Sequence, residues 1–274
     1  MATSSAGEDF EMHCPDVAAV IMAGGKGKRM GDGCPKVFRR VNGKAMLART
    51  LNLALQVAAQ VVVVLSPGSY QYMLDEEPQI SEWIQLEPRV HVMIQSVPRG
   101  TGDAALQGLR NLDPGFKYCL ILSGDTPLLK VKTVLNLVDV AHQANAHAVM
   151  AVAKLETSSA AHGYGRVIVG ADGHTVQRVV EQKELNRLLD PPADVMHQLR
   201  LVNGGIYVVC PQTAPTYLDK LHENQETHET YLPEAIVAMA QDAAINVQCQ
   251  EVPRHEILNV NTPQDLEAAE DLGL

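Results

Sequence analysis

The chain has 274 residues, of which 46% are hydrophobic and 20% charged, with a formal net charge of −10. That length suits one large α/β domain, or one domain with a small embedded lobe. No apolar run reaches the roughly 20 residues of a membrane span, so a soluble chain is expected, and the acidic balance argues against broad nucleic-acid binding, which draws on clustered Lys and Arg.

The first fifteen residues are polar, include Glu8, Asp9 and Glu11, and lack the basic start and apolar stretch of a signal peptide. A disordered tail is expected over 1–15 and one folded domain over 16–274. Short continuous Val/Ile/Leu runs at Val17 to Met22, Val61 to Leu65, Val90 to Ile94, Tyr118 to Leu122 and Ala148 to Ala153 predict parallel strands covered on both faces. Between the first two, Leu47, Leu51 and Leu55 recur at helical spacing within Ala45 to Ala58. Gly100-Thr101-Gly102 opens a second helix with Thr101 as its expected N-cap, and Thr133 to Ala144 reads as a third. This alternation predicts an α/β fold with a doubly wound, mostly parallel sheet, whose ligands bind at the carboxyl ends of the strands.

From about residue 155 the pattern changes. Arg166 to Val169, a turn at Asp172-Gly173 and Val176 to Glu181 predict a β-hairpin, and residues 201–209 a further strand. The region of about 155–210 is therefore expected to be a small antiparallel β insertion covering one side of the sheet. Ile257 to Val260 is expected as a strand. Thr262-Pro263-Gln264-Asp265 then opens a helix, with Thr262 capping and Pro263 at the first helical position.

The strand ending at Met22 runs into Ala23-Gly24-Gly25-Lys26-Gly27-Lys28-Arg29-Met30, followed by Pro35-Lys36. Its glycines let a backbone approach an anion and aim N–H groups at it, while Lys26, Arg29 and Lys36 neutralise charge. A polyphosphate is the natural guest. Arg29 stands where a Walker A loop has Ser or Thr, and Met30 where the dinucleotide fingerprint needs Gly or Ala, so both of those loops are excluded. Further on, Ser123-Gly124-Asp125-Thr126-Pro127 places a carboxylate just past a buried strand. Asp125 could hold Mg²⁺, a cation of oxygen ligands that shares its shell with phosphate and water, or could cap the turn before Pro127. Asn261 offers a second oxygen or serves the turn before the last helix.

The other chemistry-bearing residues are less specific. The ten histidines form no metal motif, and no G-x-S-x-G elbow is present. Trp83 lies alone in a connection expected to be polar. The five cysteines are scattered, without a C-x-x-C pair, which suits reduced thiols and a cytoplasmic setting.

Taken together, A-G-G-K-G-K-R-M, P-K, G-K-A-M, Q-x4-G-T-G, G-D-T-P, G-Y-G-R, V-E-x-K, N-G-G, E-T-Y and N-V-N-T occur in an order that resembles the uridyltransferase domain of bacterial N-acetylglucosamine-1-phosphate uridyltransferases, over roughly residues 17 to 272. The resemblance implies a nucleotide-diphospho-sugar transferase fold within the MobA-like nucleotidyltransferase superfamily. It assigns Met22, Ala23, Gly24 and Gly25 to the nucleotide, and Gln95, Gly100 and Thr101 to the base, in that family uracil. Arg29 and Lys36 would be catalytic, holding the triphosphate, while Asp125 and Asn261 would bind Mg²⁺. Gly165, Glu181 and Asn203 would hold the sugar.

Ser123 stands where that family commonly has Tyr, and Pro233-Glu234 where Thr-Asp is frequent. No hexapeptide-repeat array follows, so neither an acetyltransferase activity nor the trimer such an array builds is expected. The implied reaction is in-line attack of a sugar 1-phosphate on the α-phosphorus of UTP, by a monomer or small homo-oligomer with no nucleic-acid or membrane partner. A relative using another sugar phosphate, or CTP or GTP, is the nearest alternative. A non-catalytic nucleotide-binding regulatory protein is an alternative of another class.

Overall fold

The computed structural model describes residues 14–25, 33–155, 165–180 and 200–272. Strand β1 (Cys14–Met22) is followed by the two-residue strands β2 (Arg40–Val41) and β3 (Lys44–Ala45), then α1 (Met46–Val57) and β4 (Ala58–Leu65). Helices α2 (Pro67–Glu76) and α3 (Pro78–Leu86) lead to β5 (Val90–Ile94), α4 (Gly100–Arg110), β6 (Tyr118–Ser123), α5 (Val131–Ala144) and β7 (Ala148–Lys154). The pair β8 (Arg166–Val169) and β9 (Val176–Val180) comes before β10 (Leu201–Val209). Helices α6 (Ala214–Leu218) and α7 (Leu232–Gln241), strand β11 (Val247–Glu251) and helix α8 (Pro263–Asp271) complete the order.

The main sheet runs β11-β7-β10-β6-β1-β4-β5. Strand β1 is parallel to β4 and β6, β4 to β5, and β11 to β7. Strand β10 is antiparallel to both of its neighbours, β6 and β7. Side chains alternate across the sheet, as the two-residue period of a strand requires. Val17, Ala19 and Ile21 of β1 pack into a core shared with α1, α3 and α5, while Val20 faces the opposite core with α4 and α7. Both faces are covered, which is why these strands read as unbroken apolar runs. In α1, Leu47 and Leu51 lie one turn apart and are 0% exposed, each contributing about 2 kcal/mol of apolar burial. Leu55 packs at the edge of that core.

The doubly wound sheet predicted from the sequence is thus the fold observed, and several local expectations need correction. Strand β1 starts at Cys14, so Cys14 and Pro15 belong to the sheet instead of the expected tail, whose other residues, 1–13, lie outside the described residues. The antiparallel addition is narrower than expected over 155–210. Strands β8 and β9 form the hairpin, but β10 is an inner strand of the main sheet. Residues 156–164 and 181–199 lie outside the described residues. Finally, Ile257 ends a short 3-10 turn (Arg254–Ile257), and Leu258 to Val260 join no strand. Trp83 sits on α3, partly buried against the core, where a polar connection was expected.

Candidate functional site

A cleft of about 560 Å³ opens at the carboxyl ends of the parallel strands. Strand β4 lies on one side of β1 and β6 on the other. The loops leaving β1 and β6 therefore flank the point where the winding reverses, the usual ligand crevice of such sheets. Met22, Gly24 and Gly25 enter from β1, Gln95 follows β5, and Gly100 and Thr101 open α4. Ser123 ends β6 and Asp125 follows it, with the Lys36 side chain between Asp125 and Gly25. Ala23 lies beneath this wall, fully buried, with its N–H already donated to the Val64 carbonyl at 2.8 Å.

Lys36 owes its position to its neighbours. Val37 and Phe38 are buried in the core, and Phe38 stacks on Tyr72 at a centroid distance of 5.3 Å. The Lys36 ammonium donates to a carboxylate oxygen of Asp125 and, at 2.9 Å, to Oδ1 of Asn261. Asp125 is 2% exposed and also accepts from the Ser123 hydroxyl. Its main-chain carbonyl accepts from the Val260 N–H at 3.0 Å, which draws the Asn261 loop onto β6 across more than a hundred residues of chain. The Asp265 carboxylate then accepts from the N–H groups of Asn261 and Thr262, each at 2.9 Å. With Thr262 capping in return, this capping box both starts α8 and fixes the Asn261 backbone.

At the other end of the cleft, Gln95 is 3% exposed, and its N–H extends the β4–β5 ladder to Leu65 at 2.8 Å. Helix α4 is stapled to the 227–231 loop. Gly102 N–H donates to the Thr230 carbonyl at 2.9 Å, and Thr230 N–H to Arg99 at 2.7 Å. Gly100 has φ +90°, and a Cβ there would lie 2.4 Å from the Thr230 carbonyl oxygen, so only glycine permits this close approach. Thr101 does not cap α4. The cap position is Arg99, and the Thr101 hydroxyl accepts from Leu232 N–H at 3.1 Å.

Residues 19–189 match the MobA-like NTP transferase domain family. The chain belongs to this family of nucleotidyltransferases. Among curated proteins it is similar to the bifunctional protein GlmU of Mycobacterium ulcerans, being 31% identical over 228 residues, 83% of this chain and 44% of that protein. The chain spans about half the length of the curated relatives it matches. Two solved structures share its fold. One is a UDP-glucose pyrophosphorylase complexed with UDP-glucose, with a TM-score of 0.67 at 14% identity, covering 93% of this chain and 97% of that one. The other is a CMP:2-keto-3-deoxy-manno-octonic acid synthetase complexed with CTP, with a TM-score of 0.65 at 18% identity and the same coverage of both chains.

Within this nucleotidyltransferase domain, the residues expected from the sequence, apart from the buried Ala23, fall into three groups. Met22, Gly24, Gly25, Lys36, Gln95, Gly100, Thr101 and Asp125 line one cleft, and Asn261 joins them through Lys36. Gly165 and Asn203 meet each other, the Asn203 N–H donating to the Gly165 carbonyl at 2.9 Å, but they do not line this cleft. The Asn203 amide is buried against the Tyr207 hydroxyl, with contacts of 2.7 and 2.9 Å. Arg29 and Glu181 lie outside the described residues.

The donor set fits a small hard cation. A carboxylate and an amide oxygen already converge on one positive charge, the Lys36 ammonium. Among the described residues no cluster of three or more His, Cys, Asp or Glu could hold a metal. A carboxylate and an amide oxygen, with phosphate and water to complete the shell, are donors that would suit Mg²⁺. The sequence reading passed over Ser123 as a polar partner of Asp125, and Thr227, Glu229 and Tyr231 as cleft walls. Only the E-T-Y triplet hinted at the latter. Among the described residues, no helix is long and apolar enough to cross a membrane.

Proposed function

We propose that the domain transfers a uridylyl group from UTP to N-acetylglucosamine 1-phosphate, forming UDP-N-acetylglucosamine and pyrophosphate. The observation that carries this reading is the two-ended cleft. One end holds the Lys36 ammonium against the Asp125 carboxylate and the Asn261 amide oxygen, which we read as the phosphate and metal end, and Gln95 with the start of α4 walls the other, which we read as the base end. Such spacing seats a nucleoside triphosphate with its base away from the reacting phosphates.

The reaction brings two anions together and moves negative charge onto pyrophosphate, so positioning and charge neutralisation carry most of the rate. Lys36 would supply a positive charge at the phosphates, and Arg29 a second by resemblance. Asp125 and Asn261 would hold Mg²⁺, which when bound offsets phosphate charge and aligns the reacting oxygens. The 31% identity to GlmU and the shared Gln95 to Gly102 pattern support uracil and an N-acetylhexosamine phosphate. A pyrophosphate-release assay across the four nucleoside triphosphates and several sugar 1-phosphates tests this reading. Release with UTP and N-acetylglucosamine 1-phosphate is expected. Release only with another pair would replace the substrates, and none with any pair would remove the catalytic reading.

A further inference from the structure

Gln95 reads as the base-facing residue, yet a side-chain amide is two-faced. Its oxygen accepts and its nitrogen donates, and a half-turn exchanges them. A free amide would accept either kind of base edge and so discriminate poorly. In this structure it is not free. The Gln95 Nε2 donates to a carboxylate oxygen of Asp103 at 2.7 Å and to the Gly100 carbonyl at 3.3 Å. The same Asp103 oxygen takes a second donor, Gln107 Nε2, at 2.6 Å. Asp103 is itself fixed in the first turn of α4, where its N–H donates to the Thr230 hydroxyl at 3.1 Å.

A carboxylate offers only acceptors, and so does a carbonyl. Turning the Gln95 amide over would set its oxygen against both of them. The amide oxygen is therefore committed to the other side, toward the glycine loop. A Cβ built on Gly24 would lie 3.2 Å from Gln95 Oε1, which places this oxygen at the cleft wall where Gly24 and Gln95 meet.

We propose that Asp103 is a positioning residue for nucleotide selection: it locks Gln95 with its oxygen toward the base, so that the favoured base must present a donor there. Uracil, with an N–H between its two carbonyls, meets that demand, whereas the matching ring nitrogen of cytosine is an acceptor. This inference rests on the uridylyl-transfer reading for the identity of the base, but not for the lock itself. Asp103 touches no reacting atom, so its effect belongs in nucleotide affinity and not in turnover.

The test measures affinities for UTP and CTP by calorimetry, with kcat and KM from pyrophosphate release, on the full chain and three variants. Asp103→Ala removes the lock and should weaken UTP, raise its KM and narrow the preference for UTP over CTP by about tenfold, the worth of one hydrogen bond, while leaving kcat unchanged. Asp103→Asn can turn its amide oxygen to both glutamines and should keep the preference. Gln107→Ala leaves the Gln95–Asp103 contact in place and should do the same. Asp103→Leu, similar in size and unable to accept, replaces the alanine variant if thermal melting shows that variant unfolded. An unchanged preference in the alanine or leucine variant would overturn the inference. So would an equal loss in the alanine and asparagine variants, which would make the negative charge, and not the lock, the cause. A wild-type chain that prefers a different triphosphate removes the uridylyl reading, yet the lock stands if the alanine variant loses that preference and the asparagine variant keeps it.

Discussion

Lys36→Met removes the only positive charge seen on Asp125 among the described residues while keeping most of the buried stem. Asp125 is 2% exposed, so the variant leaves a carboxylate in the interior whose one remaining side-chain partner among the described residues is the Ser123 hydroxyl. Removing one partner of a buried pair typically costs 3–5 kcal/mol. The Lys36 side chain is 17% exposed against 3% for Asp125, so water reaches part of the pair and the expectation moves to about 3 kcal/mol. For a chain of this size that is on the order of 5 °C in melting temperature. Urea denaturation at neutral pH, with equal slopes for both proteins, reads this directly. Mg²⁺ should then stabilise Lys36→Met more than the wild type, because in the wild type the ammonium competes for the same two oxygens. A loss below about 0.5 kcal/mol, the range of ordinary surface changes, would refute the claim that this pair is a buried, mutually dependent one. Equal stabilisation of both proteins by Mg²⁺ would refute the assignment of Asp125 and Asn261 to the cation.

Gly108→Ala should destabilise by about 1–3 kcal/mol in denaturation experiments, although alanine is the better helix former, because the new Cβ would sit 2.4 Å from a Val20 methyl on β1. A stabilised variant would show that α4 can lift off the sheet at little cost. Asp265→Ala should raise the Mg²⁺ concentration needed for half-maximal pyrophosphate release, since it frees the Asn261 backbone as well as uncapping α8. An unchanged Mg²⁺ requirement would separate the cap from the site. Hydrogen bonds from Thr175 and His174 hold the exposed Asp172 carboxyl at about 2, below its ordinary 3.8. Its contribution to stability is therefore complete above pH 3.8 and is lost as pH falls through about 2. Asp172→Asn should accordingly converge with wild type in stability over that window, with a direct check from the carboxyl titration by NMR. Cys119 is fully buried and its thiol is pushed up by desolvation, so alkylation at pH 8 should label it only after unfolding.

The parallel half of the sheet was legible because both of its faces are dry. Val61 to Leu65 has no polar residue to blur the run, and the observed strand merely extends it to Ala58. The order of strands was not legible. Nothing local in Leu201 to Val209 tells whether it pairs within an insertion or between β6 and β7, since that depends on partners far along the chain. Strand β11 carried a readable signal, with Val247 and Cys249 buried and the alternating Gln248 and Gln250 less so, but its alternation is short. Thr101 misled because a threonine before a helical run is usually a cap, whereas here its hydroxyl accepts from the Leu232 N–H at the start of α7. The site followed the same rule. Residues on strand ends and in the glycine loop were found from local pattern, while the contact of Ser123 with Asp125, that of Asp103 with Gln95, and the 227–231 wall depend on what the fold brings against them.

The inner place of β10 also has a consequence for how the chain is made. During vectorial synthesis β6 leaves the ribosome with its second edge unpaired, because the strand that covers it is encoded much later. At ordinary elongation rates β10 follows on the order of ten seconds afterwards. Through that interval the nascent chain exposes an apolar strand edge, Tyr118 to Ser123, of the kind that recruits other strands. Slow codons or a stalled ribosome between β6 and β10 would lengthen this exposure, so yield in expression should respond to translation speed in that stretch.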